Sequence, residues 1–158
     1  MNITKVDFND QAQAADFIFL MSHYASDPMG GGEDLGEQIK AELPAMMAAR
    51  ENCVSFMTYV DERPAGLINC MEGFSTFACK PLLNIHDVIV HGDFRGRNIA
   101  GKLLEAAQQE ALARGCVKLT LEVLTGNEAA RKVYARNGFA PYVLDAAMGV
   151  AEFWQKPL

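Results

Sequence analysis

The densest chemistry in this chain lies in the run 95–102, where Arg95, Arg97 and Lys102 are interleaved with Gly96, Asn98, Ile99, Ala100 and Gly101. Apolar alternation in Val88-Ile89-Val90 stops just before it, and Gly92-Asp93 marks a turn. After it, Ile99, Leu103, Ala107 and Ala111 recur at helical spacing until Arg114-Gly115, a stop signal. A strand therefore feeds a helix through a loop of small and basic residues. Unpaired backbone N–H groups and the positive end of the helix dipole converge there, which suits a phosphate-bearing ligand. Asn98 is second only to glycine in tolerating positive φ, so the turn can approach an anion closely.

Two further groups flank this loop. His86 and Asp87 sit on the strand ahead of it, and imidazole is the side chain suited to taking a proton near neutral pH. If the strand is regular, Asp87 points to the face opposite His86 and only one of the two reaches a substrate. Downstream, Val117 to Val123 alternates as a half-buried strand and leads to Asn127-Glu128, with Tyr134 and Gly138-Phe139 beyond. A short helix between Asn127 and Gly138 returns Asn127 and Tyr134 to nearly one face, about 10 Å apart along the axis. Asn127 reads either as a ligand contact or as an N-cap, and Tyr134 either as a proton donor or as a core aromatic.

The run from Arg95 to Ala100 resembles motif A of the GNAT superfamily of N-acetyltransferases, with Asn98 in place of the central glycine. The run from Asn127 through Ala130 and Tyr134 to Gly138-Phe139 resembles motif B of that superfamily. The resemblance implies acetyl-CoA as cofactor, with its pyrophosphate on the backbone of Gly96 to Gly101 and its pantetheine along Val88, Ile89 and Val90. It assigns Asn127 to the pantetheine arm and Tyr134 to protonation of the departing thiolate. A β-bulge in the strand before the loop would aim one N–H at the thioester carbonyl. His86 occupies the place where arylalkylamine acetyltransferases look similar with a His and polyamine acetyltransferases carry a Glu. It is the expected base, with Asp87 as the alternative. The acceptor would be a small-molecule amine held by Tyr24, Asp27, Met29, Glu72, Phe74 and Phe77. Two rival readings keep the fold: a non-catalytic acyl-CoA-binding module, and a protein lysine or N-terminal acetyltransferase.

The elements that must position these groups can be read from the pattern. Strands are expected at 2–8, 54–60, 65–74, 82–90 and 117–123, with closing strands at 142–144 and 150–155. Helices are expected at 11–24, 35–50, 99–114 and from 128 to just before Gly138, the second kinked or split at Pro44. With the resemblance, this order implies an α/β (α+β) fold in one domain over 1–158. Its sheet would be mixed and mostly antiparallel, with a central splayed parallel pair and about four flanking helices. The loop Asp27 to Glu33, with Gly30-Gly31-Gly32, reads as a mobile lid or as a plain connector.

Composition narrows the partners. Net charge is −6, and residues 1–50 hold Asp7, Asp10, Asp16, Asp27, Glu33, Asp34, Glu37 and Glu42 against Lys5, Lys40 and Arg50. That balance argues against nucleic acid. The longest apolar run of the N-terminal region, Phe17 to Met21, is too short for a membrane, so a cytoplasmic location is expected. Cys53, Cys70, Cys79 and Cys116 lack metal or redox spacing and read as reduced, buried thiols. No metal is implied, and a homodimer is left open.

Overall fold

The computed structural model describes residues 1–158. The elements follow in the order β1 (Asn2–Lys5), α1 (Gln11–Ala25), α2 (Glu37–Ala48), β2 (Cys53–Val60), β3 (Arg63–Ser75), β4 (Lys80–Val90), α3 (Ile99–Ala113), β5 (Leu119–Leu121) and α4 (Glu128–Arg136). Two compact units are distinguished, residues 1–121 and residues 122–158.

In the first unit the strands lie in sequence order. All neighbours are antiparallel except β4 and β5, which run parallel. The mixed, mostly antiparallel sheet expected from the sequence is therefore present. β2 and β3 meet at Asp61-Glu62, both at positive φ (50° and 62°), as the tightest hairpin turn requires.

Helices cover both faces of the sheet. Phe17, Leu20 and Met47 from α1 and α2 pack with Met57, Leu67 and Ile89 on one face. Truncating a fully buried residue such as Leu67 to Ala would cost about 2–5 kcal/mol. On the other face α3 lies so close that a Cβ at Gly66 would come within 2.7 Å of Ile99 Cγ2. α1 is started by Asp10, whose carboxylate accepts from the N–H groups of Ala12 and Gln13. Pro44 does not split α2, which continues through it. A helix-interior proline costs about 3 kcal/mol, and the buried Met47, at about 1.5–3 kcal/mol for a fully buried side chain, offsets much of it with help from the partly buried Leu43.

β4 carries the irregularity that matters most. Its register with β3 passes from Cys70↔Ile85 to Asn69↔Asp87, so His86 is an extra, bulged residue. A bulge bends its strand. Parallel pairing with β5 ends at Ile85↔Leu121, and β5 is three residues long where seven were expected. From His86 to Val90, β4 has β3 on one edge and no strand on the other.

In the second unit the expected closing strands at 142–144 and 150–155 do not form. One backbone bond joins them, from Ala151 N–H to the Tyr142 carbonyl at 3.2 Å. Between them lies a single 3₁₀ turn, Ala146–Met148, started by the Asp145 carboxylate and followed by Gly149 at φ 82°. Alternating apolar residues become a strand only when a ladder partner and a buried face are supplied. Here Leu144, Phe153 and Trp154 remain exposed.

Candidate active site

The bulge brings together two residues that a regular strand would separate. Asp87 pairs across to Asn69 on the α1 side of the sheet, and His86 turns outward with 57% of its side chain exposed. Nδ1 of His86 stands 3.3 Å from Oδ2 of Asp87. The condition for only one of them to reach a substrate, a regular strand, is therefore not met. Beyond the bulge, successive residues of an antiparallel strand alternate their N–H groups between the partner and the opposite edge. β4 thus offers backbone donors along its unpaired edge within Asp87 to Val90.

β4 then enters the basic loop. A 3₁₀ turn at Gly92–Phe94 buries the Phe94 ring, with the guanidinium groups of Arg63 and Arg97 at 5.0 and 5.6 Å from its centroid. Gly96 has φ 80°, and a Cβ there would meet nothing within 4 Å. Asn98 is the residue before α3 and adopts the left-handed conformation, φ 58° and ψ 27°, as its type allows. No side chain caps the α3 N-terminus. Asn98 folds over Gly101 instead, where a Cβ would approach its Oδ1 to 2.5 Å. Ile99 is buried, Ala100 is half-buried and Lys102 is exposed. The loop is thus an open, backbone-lined N-terminus flanked by Arg95, Arg97 and Lys102.

Of the residues assigned to an acceptor, Tyr24 and Asp27 lie near these groups. Burial first, then Asp87 and Asp27, raise the Tyr24 phenol, so it stays a neutral donor. Asp27 accepts from Met29 N–H at 2.9 Å and from Arg95 at 3.0 Å, and both hold its carboxyl below the usual range. Its main-chain carbonyl accepts from Gly30 and Gly32. A Cβ at Gly30 would collide with the Tyr24 carbonyl, so the triple-glycine loop is folded down against the end of α1. Glu72 is different: Arg114, at the end of α3, bridges it at 2.9 Å on the opposite face of the sheet from Asp87. Phe74 and Phe77 are exposed at the far tip of the β3–β4 hairpin, and four residues of ladder separate Phe74 from Asn69.

In the second unit Asn127 is the N-cap of α4, its Oδ1 accepting from Ala130 N–H at 3.1 Å. Tyr134 lies seven residues on, edge-on to Phe139 at 6.0 Å between centroids. The expected stop is present, with Gly138 at φ 86°.

Sequence reasoning missed two groups. His23 and His91 stack at 4.3 Å, and each accepts a backbone N–H of the turn before the loop, Gly92 to His23 Nε2 and Asp93 to His91 Nδ1, both at 3.3 Å. Ser55 and Asn69 are polar residues set among the apolar residues of β2 and β3 and are buried there, and polar residues inside apolar runs were the signal that was available. Cys79 departs from expectation: it is exposed in the β3–β4 turn, whereas Cys70 is buried and all four thiols are free.

Residues 18–139 match the model of the acetyltransferase (GNAT) family. Among solved structures, a probable acetyltransferase superposes with a TM-score of 0.83 at 21% identity, covering 100% of this chain and 98% of its own. An aminoglycoside acetyltransferase from an uncultured soil metagenomic sample, in complex with trehalose, gives 0.79 at 16% identity, covering 99% and 96%. AAC(6')-Iy in complex with the bisubstrate analogue CoA-S-monomethyl-acetylneamine gives 0.77 at 16% identity, covering 99% and 98%. At these identities the structures speak for the fold, and the family match extends over most of the chain: it belongs to the GNAT family of acetyltransferases.

Proposed function

We propose that this chain is an N-acetyltransferase that uses acetyl-CoA and a small-molecule primary amine in one ternary complex. The observation that carries the reading is the continuity of β4. Its unpaired edge from His86 to Val90 runs directly into an uncapped helix N-terminus flanked by Gly96 and Asn98. The residues present fit the group: the open space at Gly96 admits a pyrophosphate, and backbone N–H groups with Arg97 and Lys102 supply donors and charge.

Acetyl-CoA supplies an acyl group activated as a thioester. This chain's residues do the rest. The edge N–H groups of β4 stabilise negative charge developing on the carbonyl oxygen. His86, beside Asp87, takes the proton of the amine. Asn127 and Tyr134 carry the roles given by the motif resemblance, the amide toward the pantetheine arm and the phenol as proton donor to the thiolate. Tyr24 and Met29, with the loop folded by Asp27, shape the acceptor side. Small amines suit that compact loop, and enzymes acting on aminoglycosides share the fold.

Calorimetry with CoA tests the cofactor site. Ala100→Glu places bulk and negative charge beside the N-terminus of α3 and should abolish binding, whereas wild-type affinity in that variant would overturn the placement.

A further inference from the structure

Three polar side chains are buried in the sheet: Ser55, Thr58 and Asn69. Thr58 is accounted for by the Asn2 carbonyl, which accepts its hydroxyl at 3.0 Å. Ser55 and Asn69, 1% and 3% exposed, form something longer. Ser55 pairs across to Asn69 in the β2–β3 ladder, and Asn69 to Asp87 in the β3–β4 ladder, so the three stand in one row over three strands. Ser55 Oγ donates to Asn69 Oδ1 at 2.6 Å, and Asn69 Nδ2 donates to Asp87 Oδ2 at 2.9 Å. Asp87 Oδ2 is also the oxygen 3.3 Å from His86 Nδ1.

The orientation of this row is determined by its chemistry. An ionised Asp87 carboxylate only accepts, so the Asn69 amide must present Nδ2 to it, which leaves Oδ1 to accept the Ser55 hydroxyl. Met21 Sδ, 3.3 Å from the same nitrogen, closes its other side. Fold stability does not require the row, because apolar groups of the same shape could replace both members of a buried pair at little net cost. It ends at the bulge, where the chain departs from regular pairing and carries the only histidine of β4.

We infer that Ser55 and Asn69 are positioning residues that hold Asp87, and that Asp87 holds the His86 proton on Nδ1, leaving the Nε2 lone pair to accept the amine proton. The inference rests on the acetyl-transfer reading and adds how its base is set. Contacts of this kind often tighten only when the substrate is in place, which suits the 3.3 Å approach. In the step itself an ammonium N–H bond breaks and an Nε2–H bond forms. The electron pair stays on the amine nitrogen as the nucleophile, and the imidazolium charge faces the Asp87 carboxylate. The ion is then relieved by loss of that proton to water.

The test reads the ring directly. The chain has three histidines, so ¹⁵N-labelled imidazoles can be assigned with His86→Gln, and two-bond proton–nitrogen correlations from the ring C–H protons report each tautomer. His86 of the wild type should carry its proton on Nδ1. Asn69→Leu and Ser55→Ala should both move it toward Nε2, and Asn69→Leu should lower kcat about 10-fold with CoA affinity unchanged. Ser55→Thr, which keeps the hydroxyl, should restore the wild-type tautomer. If Asn69→Leu does not fold, Ser55→Ala carries the test. A wild-type His86 protonated on Nε2, or a tautomer indifferent to both variants, overturns the inference, as does unchanged kcat in His86→Gln. Failure of every amine to accept an acetyl group would instead overturn the acetyl-transfer reading, because the tautomer is measured without substrate.

Discussion

Arg95, in the loop before α3, is bridged to Asp27 of the α1–α2 loop at 3.0 Å, so the first cation of the basic loop is already engaged by an acid. A bound pyrophosphate would compete with Asp27 for it. Partly exposed pairs of this kind are worth about 0.2–1 kcal/mol. Asp27→Asn should therefore tighten CoA binding by about 1.4- to 5-fold in calorimetry at low salt. Weaker binding would mean that Asp27 helps to hold the loop in its binding shape.

The stacked pair His23 and His91 makes the same loop sensitive to acid. Burial first, then His91 and Arg95, hold the His23 imidazole below its ordinary 6.5, while Asp27 and Asp93 pull it up. The unfolded chain takes a proton at the ordinary value, which the folded chain resists. His23 therefore causes no loss above 6.5 and a growing loss of stability as pH falls below it. Protonation also removes the acceptor that His23 Nε2 gives to Gly92 N–H. Thermal midpoint and CoA affinity should fall together as pH drops below about 6.5, and His23→Phe, which keeps the stack, should show a shallower slope. Equal slopes would assign the acid sensitivity elsewhere.

Tyr134 packs its ring against Phe139, so Tyr134→Phe removes only the hydroxyl and leaves that contact in place. Loss of a general acid should lower kcat by on the order of 10²-fold while CoA affinity holds. Unchanged kcat, with chemistry rate-limiting, would return Tyr134 to the role of a packing aromatic.

The thiols should separate sharply by reactivity. Cys79 is exposed, whereas burial pushes the Cys70 thiol up to about 12. Maleimide should label Cys79 within minutes and Cys70 only on unfolding, as read by mass spectrometry of digested protein. Rapid labelling of Cys70 would reveal an opening of β3 away from α3.

How far the sequence disclosed this site depends on whether its signals were local. The loop and the ends of α3 were legible because Gly96, Asn98 and Gly115 mark left-handed turns by residue type alone. The position of the bulge was not, because nothing in Ile85-His86-Asp87 identifies which residue is extra. Only the register with Asn69 and Cys70 does so. The Ser55–Asn69–Asp87 row is invisible for the same reason, as its members come from three strands. The segments 142–144 and 150–155 alternate as strands do, but a ladder needs a partner that alternation cannot supply. Glu72 is legible in the sequence as an acid but not as one held by Arg114, 42 residues away.

Acetyl transfer to an amine frees a thiol, and release of that thiol can be followed continuously. Purified protein, acetyl-CoA and a panel of small primary amines, polyamines and aminoglycosides should give CoA release that depends on both amine and enzyme. The acetylated amine should be identifiable by mass spectrometry, and His86→Gln should slow its formation. CoA binding without release for any amine in the panel would rule out acetyl transfer and leave a protein that binds the cofactor without using it.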